Sequence, residues 1–333
     1  MINFENENIF VGIPGYNERY ILNTVEDLYE KAEFPENVYV GIFNQKSPGF
    51  EFEDFSKYKN VKVINTSYEY PLGVGYARLS ATKLFSGQKY FLQIDAHTVF
   101  CRNWDTLLIG YYSMLSTIVD KPMLSQCPSS MPASIYQDHN TYENFRSTYT
   151  PIKSQPIALN SRLDTQPDYS RENEKRVLDI FLEHYAHMGG YIFTSSNFIS
   201  EVSYPSNLVY EFDQELTAFR SVTRGYRIFS TDLVPVASMG KNPTDGFDEE
   251  KYPKDLRFVE ISEQFKKEKS WKKYQEPHEF YDYFLGVKFG FLGAPDKRSY
   301  DEFVNRSGLD YRKLTNNGAS LQHTPGDVAL LDQ

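Results

Sequence analysis

The first 125 residues alternate short apolar runs with longer amphipathic segments, and this alternation restricts the fold more than any other feature of the sequence. The runs at Ile9–Ile13, Val38–Phe43 and Val61–Ile64 are predicted strands. Between the first two, apolar residues recur at helical spacing from Ile21 to Ala32. Strands that alternate with helices indicate an α/β fold in which a mostly parallel central sheet is flanked by helices.

A further apolar run, Tyr90–Phe100, carries Asp95 and His97 toward its far end. Residues two apart on an extended backbone lie on the same side, so these two side chains are expected to face one point. A carboxylate beside an imidazole suits Mn²⁺ or Mg²⁺, particularly a cation that already carries a diphosphate. The alternative is that Asp95 caps the helix that begins at Trp104–Asp105.

Open α/β sheets bind ligands at the carboxyl ends of their strands, and polar residues follow the first two strands there. We expect a nucleotide to lie near four of them: Tyr16, Asn17, Asn44 and Gln45. Arg78, on the helix that starts after Leu72, is either an ordinary surface arginine or a bidentate clamp on phosphate or sugar oxygens.

The middle of the chain is polar and interrupted by prolines from Gln126 to Arg176. A stretch of this length is typical of a lid or binding loop, and it is equally compatible with a meander of short elements.

Farther along, Gly189–Gly190 precede a predicted strand, and paired glycines allow the backbone to approach another group closely. His184 and His187 are three residues apart; packing on aromatic rings at a helix end is favoured over metal binding.

A second helical pattern begins at Phe212, where Asp213 and Glu215 have a simple role as acidic residues at a helix N-terminus. The character of the chain changes beyond Gly240. We therefore divide it into a first domain, residues 1–240, and a C-terminal extension, residues 241–333, in which Tyr281–Asp310 form a small helical annex.

The composition of the chain restricts which partners this protein is expected to bind. The formal net charge is −10, which argues against broad binding to nucleic acid, because such binding needs basic surface. Cys101 and Cys127 lack metal-site spacing and predict reduced thiols. The N-terminus has no signal-peptide pattern and no apolar run is long enough to span a bilayer. The expectation is a soluble cytoplasmic protein with no membrane partner.

Taken in order, these motifs resemble the nucleotide-sugar glycosyltransferases of the GT-A fold. The resemblance is closer to the cytoplasmic polypeptide α-N-acetylglucosaminyltransferases that modify hydroxyproline, and more distant to the polypeptide N-acetylgalactosaminyltransferases. It extends from Ile9 to Asp310. It implies that residues 1–240 form a catalytic domain, with a nucleotide-binding half, 1–125, and a half for the donor sugar and the acceptor, 126–240. The matching segments are Ile9–Ile13 with the turn that follows, Ala77–Leu79, Gln93–His97, Asn103–Asp105, Gly189–Phe193, Phe212–Glu215, Gly290–Gly293, Lys297–Ser299 and Ser307–Asp310.

The resemblance implies a retaining transferase that moves a sugar, N-acetylglucosamine in first place, from a UDP-sugar donor to a hydroxyl. Asp95 and His97 would hold the metal, and Arg78 and Glu215 would serve catalysis, with Glu215 orienting hydroxyls of donor or acceptor. The residues that would contact the donor are Pro14, Tyr16, Asn17, Asn44, Gln45, Arg78, Asp95, Gly189 and Gly190.

The sequence departs from the family pattern at two places. The resemblance leads one to expect a third metal ligand, a histidine, soon after the predicted strand at Leu233–Val236, but the chain continues Ala237-Ser238-Met239. Asp213 and Gln214 also replace residues that are often small or acidic. Three interpretations therefore stay open: transfer to a polypeptide, transfer to a glycan or a modified nucleic-acid base, and a catalytically silent module that binds a nucleotide sugar or a glycan.

Overall fold

The computed structural model describes residues 4–67, 72–131, 139–151, 177–204, 213–238 and 299–310, together with two short strands at 315–316 and 319–320. Several motifs of the sequence analysis lie outside these residues. They are Phe212, the residues after Ser238 where a third metal ligand was expected, Gly290–Gly293, and most of the predicted loop from Gln126 to Arg176.

The chain forms strands and helices in alternation over its first half, as the sequence predicts. The strands are β1 (Ile9–Tyr16), β2 (Val38–Lys46), β3 (Val61–Ser67), β4 (Tyr90–Ile94), β5 (Thr98–Phe100), β6 (Pro122–Ser125), β7 (Ser129–Ser130), β8 (Phe181–His184), β9 (Tyr191–Ser195), β10 (Arg227–Thr231), β11 (Val236–Ser238), β12 (Leu309–Asp310), β13 (Thr315–Asn316) and β14 (Ala319–Ser320). The helices are α1 (Ile21–Lys31), α2 (Val74–Thr82), α3 (Trp104–Ser116), α4 (His139–Thr148), α5 (Asn197–Glu201), α6 (Asp213–Thr223) and α7 (Tyr300–Ser307).

An eight-stranded sheet in the order β3-β2-β1-β4-β9-β6-β10-β8 forms the centre of the molecule. All its strands run in one direction except β9 and β8. The predicted α/β architecture with a mostly parallel sheet is therefore confirmed. A second, three-stranded sheet in the order β5-β11-β7 continues from the carboxyl end of β4.

The side chains of β4 alternate between two apolar layers. Tyr90, Leu92 and Ile94 belong to the larger cluster, which α1 and α3 cover. Phe91 points to the opposite layer, which contains residues of α5, α6 and α7. Because side chains alternate along a strand, Gln93 lies on the same face as Phe91, and the next position on that face is Asp95.

The segment around α7 packs on α6. The rings of Phe303 and Phe219 lie 5.0 Å apart in an edge-to-face arrangement, and Phe303 is fully buried. Ser299 caps α7, because its hydroxyl accepts a hydrogen bond from the Glu302 amide. Gly308 ends the helix at φ 75°, a left-handed conformation that glycine adopts without strain. Among the helices that the structure describes, none is both long and apolar enough to span a bilayer.

Candidate active site

The Asp95–His97 pair lies in a turn and not on an extended strand. β4 ends at Ile94 and β5 begins at Thr98, so the predicted continuation of the strand through His97 is wrong. Thr24 on α1 holds this turn: its hydroxyl donates to the Ala96 carbonyl oxygen at 3.0 Å and accepts from the Thr98 amide at 2.9 Å. The turn is therefore fixed by a buried side chain, although its backbone is not part of the sheet.

Within this turn, the Asp95 and His97 side chains come together. Asp95 Oδ2 lies 4.0 Å from His97 Nε2, which is too far for a hydrogen bond. Neighbouring ligands of an octahedral cation with bonds of about 2.1 Å lie about 3 Å apart, so these two atoms would have to approach each other by about 1 Å to bind one ion side by side. The Asp95 side chain is 34% exposed, so it is accessible at the surface of the turn, whereas His97 is buried.

Glu18, in the turn after β1, orients the His97 ring. Its Oε1 lies 3.1 Å from His97 Nδ1. A carboxylate at this position favours the proton on Nδ1 and leaves the lone pair of Nε2 pointing toward Asp95. This carboxylate–histidine arrangement is typical of imidazoles that bind metals.

The chemistry of these groups fits a cation with two protein ligands. Within the described residues, no group of three or more His, Cys, Asp and Glu side chains is arranged to hold a metal ion. Mg²⁺ and related ions are often bound by one or two protein groups together with substrate phosphates and water. Asp95 and His97, with Glu18 behind the imidazole, match that pattern.

Two glycines come close to the charged groups of the site. A Cβ atom on Gly190 would lie 2.7 Å from Asp95 Oδ2 and 3.4 Å from Pro128 Cγ. A Cβ atom on Gly189 would lie 2.8 Å from Cζ of the Arg78 guanidinium. Neither position has space for a side chain, so the expectation that the glycine pair permits a close approach is confirmed.

Arg78 is buried and ion-paired, so its interpretation as an ordinary surface arginine is wrong. Its Nη1 donates to Asp213 Oδ2 in α6, and the side chains of both residues are almost fully buried. Gln93 Nε2 donates to the Gly189 carbonyl oxygen. Gly189 thus contacts both Arg78 and Gln93.

His184 and His187 are both buried in this region. His184 is the last residue of β8, so the predicted helix end is wrong; its Nε2 lies 2.8 Å from the Ser125 carbonyl oxygen. His187 is buried, and its pKa is far below the usual value, first because of burial and second because of the Arg78 charge. The His187 imidazole is therefore neutral beside Arg78 at physiological pH.

The predicted nucleotide-contacting residues lie at the carboxyl ends of β1 and β2. Tyr16 pairs with Gln45 in the parallel register, and Pro14 and Tyr16 are half-buried. A Cβ atom on Gly15 would lie 3.8 Å from Ala96 Cβ, so the end of β1 adjoins the Asp95–His97 turn.

Three of these residues hold loops in place. Asn17 accepts from the Ser47 amide at 2.8 Å, and Gln45 Oε1 accepts from the Leu72 amide at 3.0 Å. Asn44 is fully buried and its amide donates to Glu53 at 2.9 Å. The structure therefore gives Asn17, Asn44 and Gln45 contacts within the protein.

Glu215 and Asp213 both occupy the first turn of α6, and both are buried. Residues two apart on a helix point about 200° from each other, so only one of them can face Arg78, and that residue is Asp213.

The motif Asn103–Asp105, which follows β5, has a structural role. The Asp105 carboxylate accepts hydrogen bonds from the Glu33 and Phe34 amides at 2.9 Å each, and these bonds hold the end of α1. The helix-capping alternative for Asp95 is not supported, because Asn103 occupies the N-cap of α3.

Glu18, Gln93 and the pairing role of Asp213 did not emerge from the sequence. Glu18 meets His97 across 79 residues and Asp213 meets Arg78 across 135. No local pattern reports contacts at such separations. The position of Gln93 could have been found, because it precedes Asp95 by two residues on the same face of β4.

An acid and an imidazole therefore lie in a turn at the carboxyl edge of a mostly parallel sheet, beside a glycine pair. The family model described as "Glycosyltransferase (GlcNAc)" matches residues 46–311, which is most of the chain. The protein belongs to this family of glycosyltransferases.

Comparison with solved structures gives distant similarities. TarS from S. aureus is 15% identical with a TM-score of 0.43, over 85% of this chain and 44% of TarS. The mannosyltransferase PcManGT from Pyrobaculum calidifontis, in complex with GDP-Man and Mn²⁺, is 13% identical with a TM-score of 0.42, over 79% of this chain and 65% of that one.

GalNAc-T7, in a structure with UDP, GalNAc and Mn²⁺, is 12% identical with a TM-score of 0.49, over 97% of this chain and 57% of that one. The chain thus spans less than half the length of TarS and just over half that of GalNAc-T7. No curated protein matches the chain in sequence.

Proposed function

We propose that this glycosyltransferase moves N-acetylglucosamine from UDP-N-acetylglucosamine to a hydroxyl group, with retention of the anomeric configuration and with a polypeptide as the acceptor. The observation that carries the proposal is the Asp95–His97 pair, whose side chains lie 4.0 Å apart beside Gly190. The description of the family, which names GlcNAc, supports the choice of sugar.

Asp95 and His97 would hold Mn²⁺ or Mg²⁺, and the cation would neutralise charge on the departing diphosphate. Glu18 keeps the His97 ring in the tautomer that leaves Nε2 available. Glu215 would orient hydroxyl groups of donor or acceptor from the first turn of α6. Tyr16 would contact the uracil ring from the end of β1.

The domain division at residue 240 and the reducing compartment also remain proposals. The compartment is supported by Cys101 and Cys127, which form no disulfide.

The test of the function is release of UDP from UDP-N-acetylglucosamine in the presence of Mn²⁺. Asp95→Asn removes the charge of one ligand at nearly constant volume, so we expect metal-dependent UDP release to fall by about 10²-fold or more. Circular dichroism should show an intact fold. Asp120→Asn, at an exposed position outside the site, is the matched control and should keep wild-type turnover. Undiminished turnover of Asp95→Asn would refute the assignment.

A second candidate is a silent module that binds the nucleotide sugar without turnover. It is favoured by the finding that the described residues offer two and not three protein ligands at the turn. Slow donor hydrolysis by the wild type supports the enzyme, whereas binding without hydrolysis, with or without an acceptor, supports the silent module. An array of peptides, glycans and modified oligonucleotides then distinguishes the acceptors.

A further inference from the structure

Helix α1 presents a row of buried polar side chains to strand β5. The row consists of Thr24, Asp27 and Lys31, whose spacing of three and four residues places them on one face of the helix. Thr24 and Asp27 are fully buried, and Lys31 is nearly so. Polar groups buried in this way need hydrogen-bond partners, and the backbone of β5 and of the turn before it supplies them.

The polar row bonds four backbone groups on one edge of this segment. Its threonine bonds the Ala96 carbonyl oxygen and the Thr98 amide. Its aspartate accepts from the Phe100 amide at 2.6 Å, and its lysine donates to the Phe100 carbonyl oxygen at 2.7 Å. Ala96, Thr98 and Phe100 are alternate residues, so their backbone groups point to the same side.

The opposite edge of β5 pairs with β11. The Cys101 amide donates to the Pro235 carbonyl oxygen at 2.9 Å, and Val99 lies opposite Ala237 in the antiparallel register. The polar row therefore takes the place of a second neighbouring strand on the edge that β11 does not cover. Because buried backbone groups without partners are costly, these side chains of α1 fix the position of that edge.

The position of this edge determines where the proposed metal ligands lie. Thr24 bonds the backbone immediately before and after His97, and the Thr98 hydroxyl donates to the Asp95 carbonyl oxygen at 2.8 Å. The backbone of the turn is therefore held at three points. Asp95 Oδ2 and His97 Nε2 lie 4.0 Å apart, so the approach of about 1 Å that one ion requires has to come from the side chains.

Helix α4 contacts the far end of the polar row. Arg146 Nη1 lies 3.7 Å from Asp27 Oδ1, and the Arg146 carbonyl oxygen accepts from Lys31 Nζ. Lys31 and Asp27 form an ion pair at 2.9 Å, so both charged members of the row are involved in this contact. α4 belongs to the polar segment between Gln126 and Arg176, and the row joins that segment to the turn that carries the proposed metal ligands.

We propose that Thr24 is a positioning residue of the transferase reaction, and that the polar row transmits the docking of α4 to the Asp95–His97 turn. The inference rests on the proposed function, because it assumes that the turn binds a divalent cation. Thr24 is buried and acts through the backbone on each side of His97. The effect of a substitution should therefore decline with distance from the turn along the row.

Two substitutions of Thr24 test the positioning role. Thr24→Val removes the hydroxyl at nearly constant volume, and Thr24→Ser retains it. The measurement is the Kd of Mn²⁺ for the full chain with saturating UDP, followed by the electron paramagnetic resonance signal of free Mn²⁺. Thr24→Val should raise this Kd by about tenfold, as loss of a group that orients metal ligands does, whereas Thr24→Ser should stay within about twofold of the wild type. An unchanged Kd for Thr24→Val would overturn the positioning role.

Arg146→Gln tests the transmission from α4. It removes the positive charge beside Asp27 and should raise the Kd of Mn²⁺ by about threefold, less than Thr24→Val does. Amide hydrogen exchange without Mn²⁺ locates the two effects. Thr24→Val should speed exchange of the Thr98 amide by about tenfold, and Arg146→Gln should mainly speed that of the Phe100 amide. If Arg146→Gln leaves both the Kd and the exchange rates at wild-type values, the transmission is refuted.

The matched control is Thr194→Val, at a position opposite Phe91 near the start of β4. Thr194 is also fully buried, and its hydroxyl donates to the Pro122 carbonyl oxygen at 2.8 Å. This variant loses a similar hydrogen bond and stability, but its Kd for Mn²⁺ should not change. An equal rise in its Kd would show that Thr24→Val acts through stability alone.

The outcomes separate this inference from the function on which it rests. A wild-type protein that binds no Mn²⁺ in the presence of UDP would refute the proposed metal-dependent function. Binding by the wild type that Thr24→Val leaves unchanged would refute only the role of Thr24. If Thr24→Val does not fold, the measurements on Arg146→Gln decide, because that substitution acts at the far end of the same row.

Discussion

Single atoms determine how closely Arg78 approaches the backbone. At Gly189 there is no Cβ, and the guanidinium occupies the space where a methyl group would be. The side chain of Arg78 cannot withdraw freely, because Nη1 is bonded to the buried Asp213 carboxylate. A substituent at residue 189 would therefore have to break an ion pair or shift a strand.

We predict that Gly189→Ala lowers kcat/KM for the donor by about tenfold or more and destabilises the fold by about 1–3 kcal/mol, as overpacking does. Gly110→Ala in α3 is the control, because no atom lies within 4 Å of the added methyl group. It should keep activity and gain about 0.5–1 kcal/mol from higher helix propensity. Steady-state kinetics and denaturant unfolding measure both effects; a fully active Gly189→Ala protein would contradict the contact.

The two cysteines should differ sharply in reactivity. Burial raises the pKa of the Cys101 thiol to about 11, whereas Cys127 is exposed. At pH 8 only about one Cys101 thiol in a thousand is ionised, and the thiolate is the reactive form. We expect a disulfide reagent to modify one thiol of the native protein, and Cys127→Ser to abolish this rapid phase. Rapid labelling of the Cys127→Ser protein at pH 8 would show that Cys101 is accessible.

For single residues, the sequence predicts features that depend only on neighbours in the chain. Asp95 and His97 are two residues apart, and their types indicate a metal site without knowledge of the fold. The partners that orient them are distant in the chain: Glu18 reaches His97 and Asp213 reaches Arg78 only because the sheet brings their elements together. Burial likewise excludes the interpretation of Arg78 as a surface arginine, and burial depends on the whole fold.

Among the elements, α6 connects the site to the C-terminal segment. Its N-terminal turn carries Asp213, and its apolar face meets Phe303 of α7. Strands and helices with clear periodicity were predictable, among them β1, β2, β4 and α3. The short strand β8 and the turn after β4 were not, because tertiary contacts and not periodicity determine them.

We predict that Phe303→Ala destabilises the protein by about 3–5 kcal/mol, because it empties a buried ring position next to Phe219. Ser299→Ala removes the N-cap of the same helix and should cost only about 1 kcal/mol. Urea unfolding of both variants tests this order. Equal, small effects would mean that α7 contributes little to the core.

At the scale of the whole molecule, the direction of β9 explains the position of the site. The carboxyl ends of β1, β2 and β4 meet at one edge of the sheet because these strands are parallel. β9 runs against β4, with Tyr191 opposite Ile94, so the residues before β9 reach that same edge. Gly189 and Gly190 are thereby placed beside Arg78 and Asp95. Sequence patterns do not report strand direction, so this juxtaposition required the structure.

A site assembled from so many elements should couple donor binding to the stability of the entire fold. A ligand that binds only the folded state adds RT ln(1 + [L]/Kd), about 2.7 kcal/mol at 100 times Kd. We predict that UDP-N-acetylglucosamine with Mn²⁺ raises Tm more than either component alone, since Asp95 and His97 would need the diphosphate to complete the cation's ligands. Thermal-shift measurements on a panel of nucleotide sugars, with Mn²⁺ or EDTA, test this expectation. Asp95→Asn should lose the metal-dependent part of the shift and keep the rest, whereas a wild-type shift that is the same in EDTA would exclude the cation from donor binding.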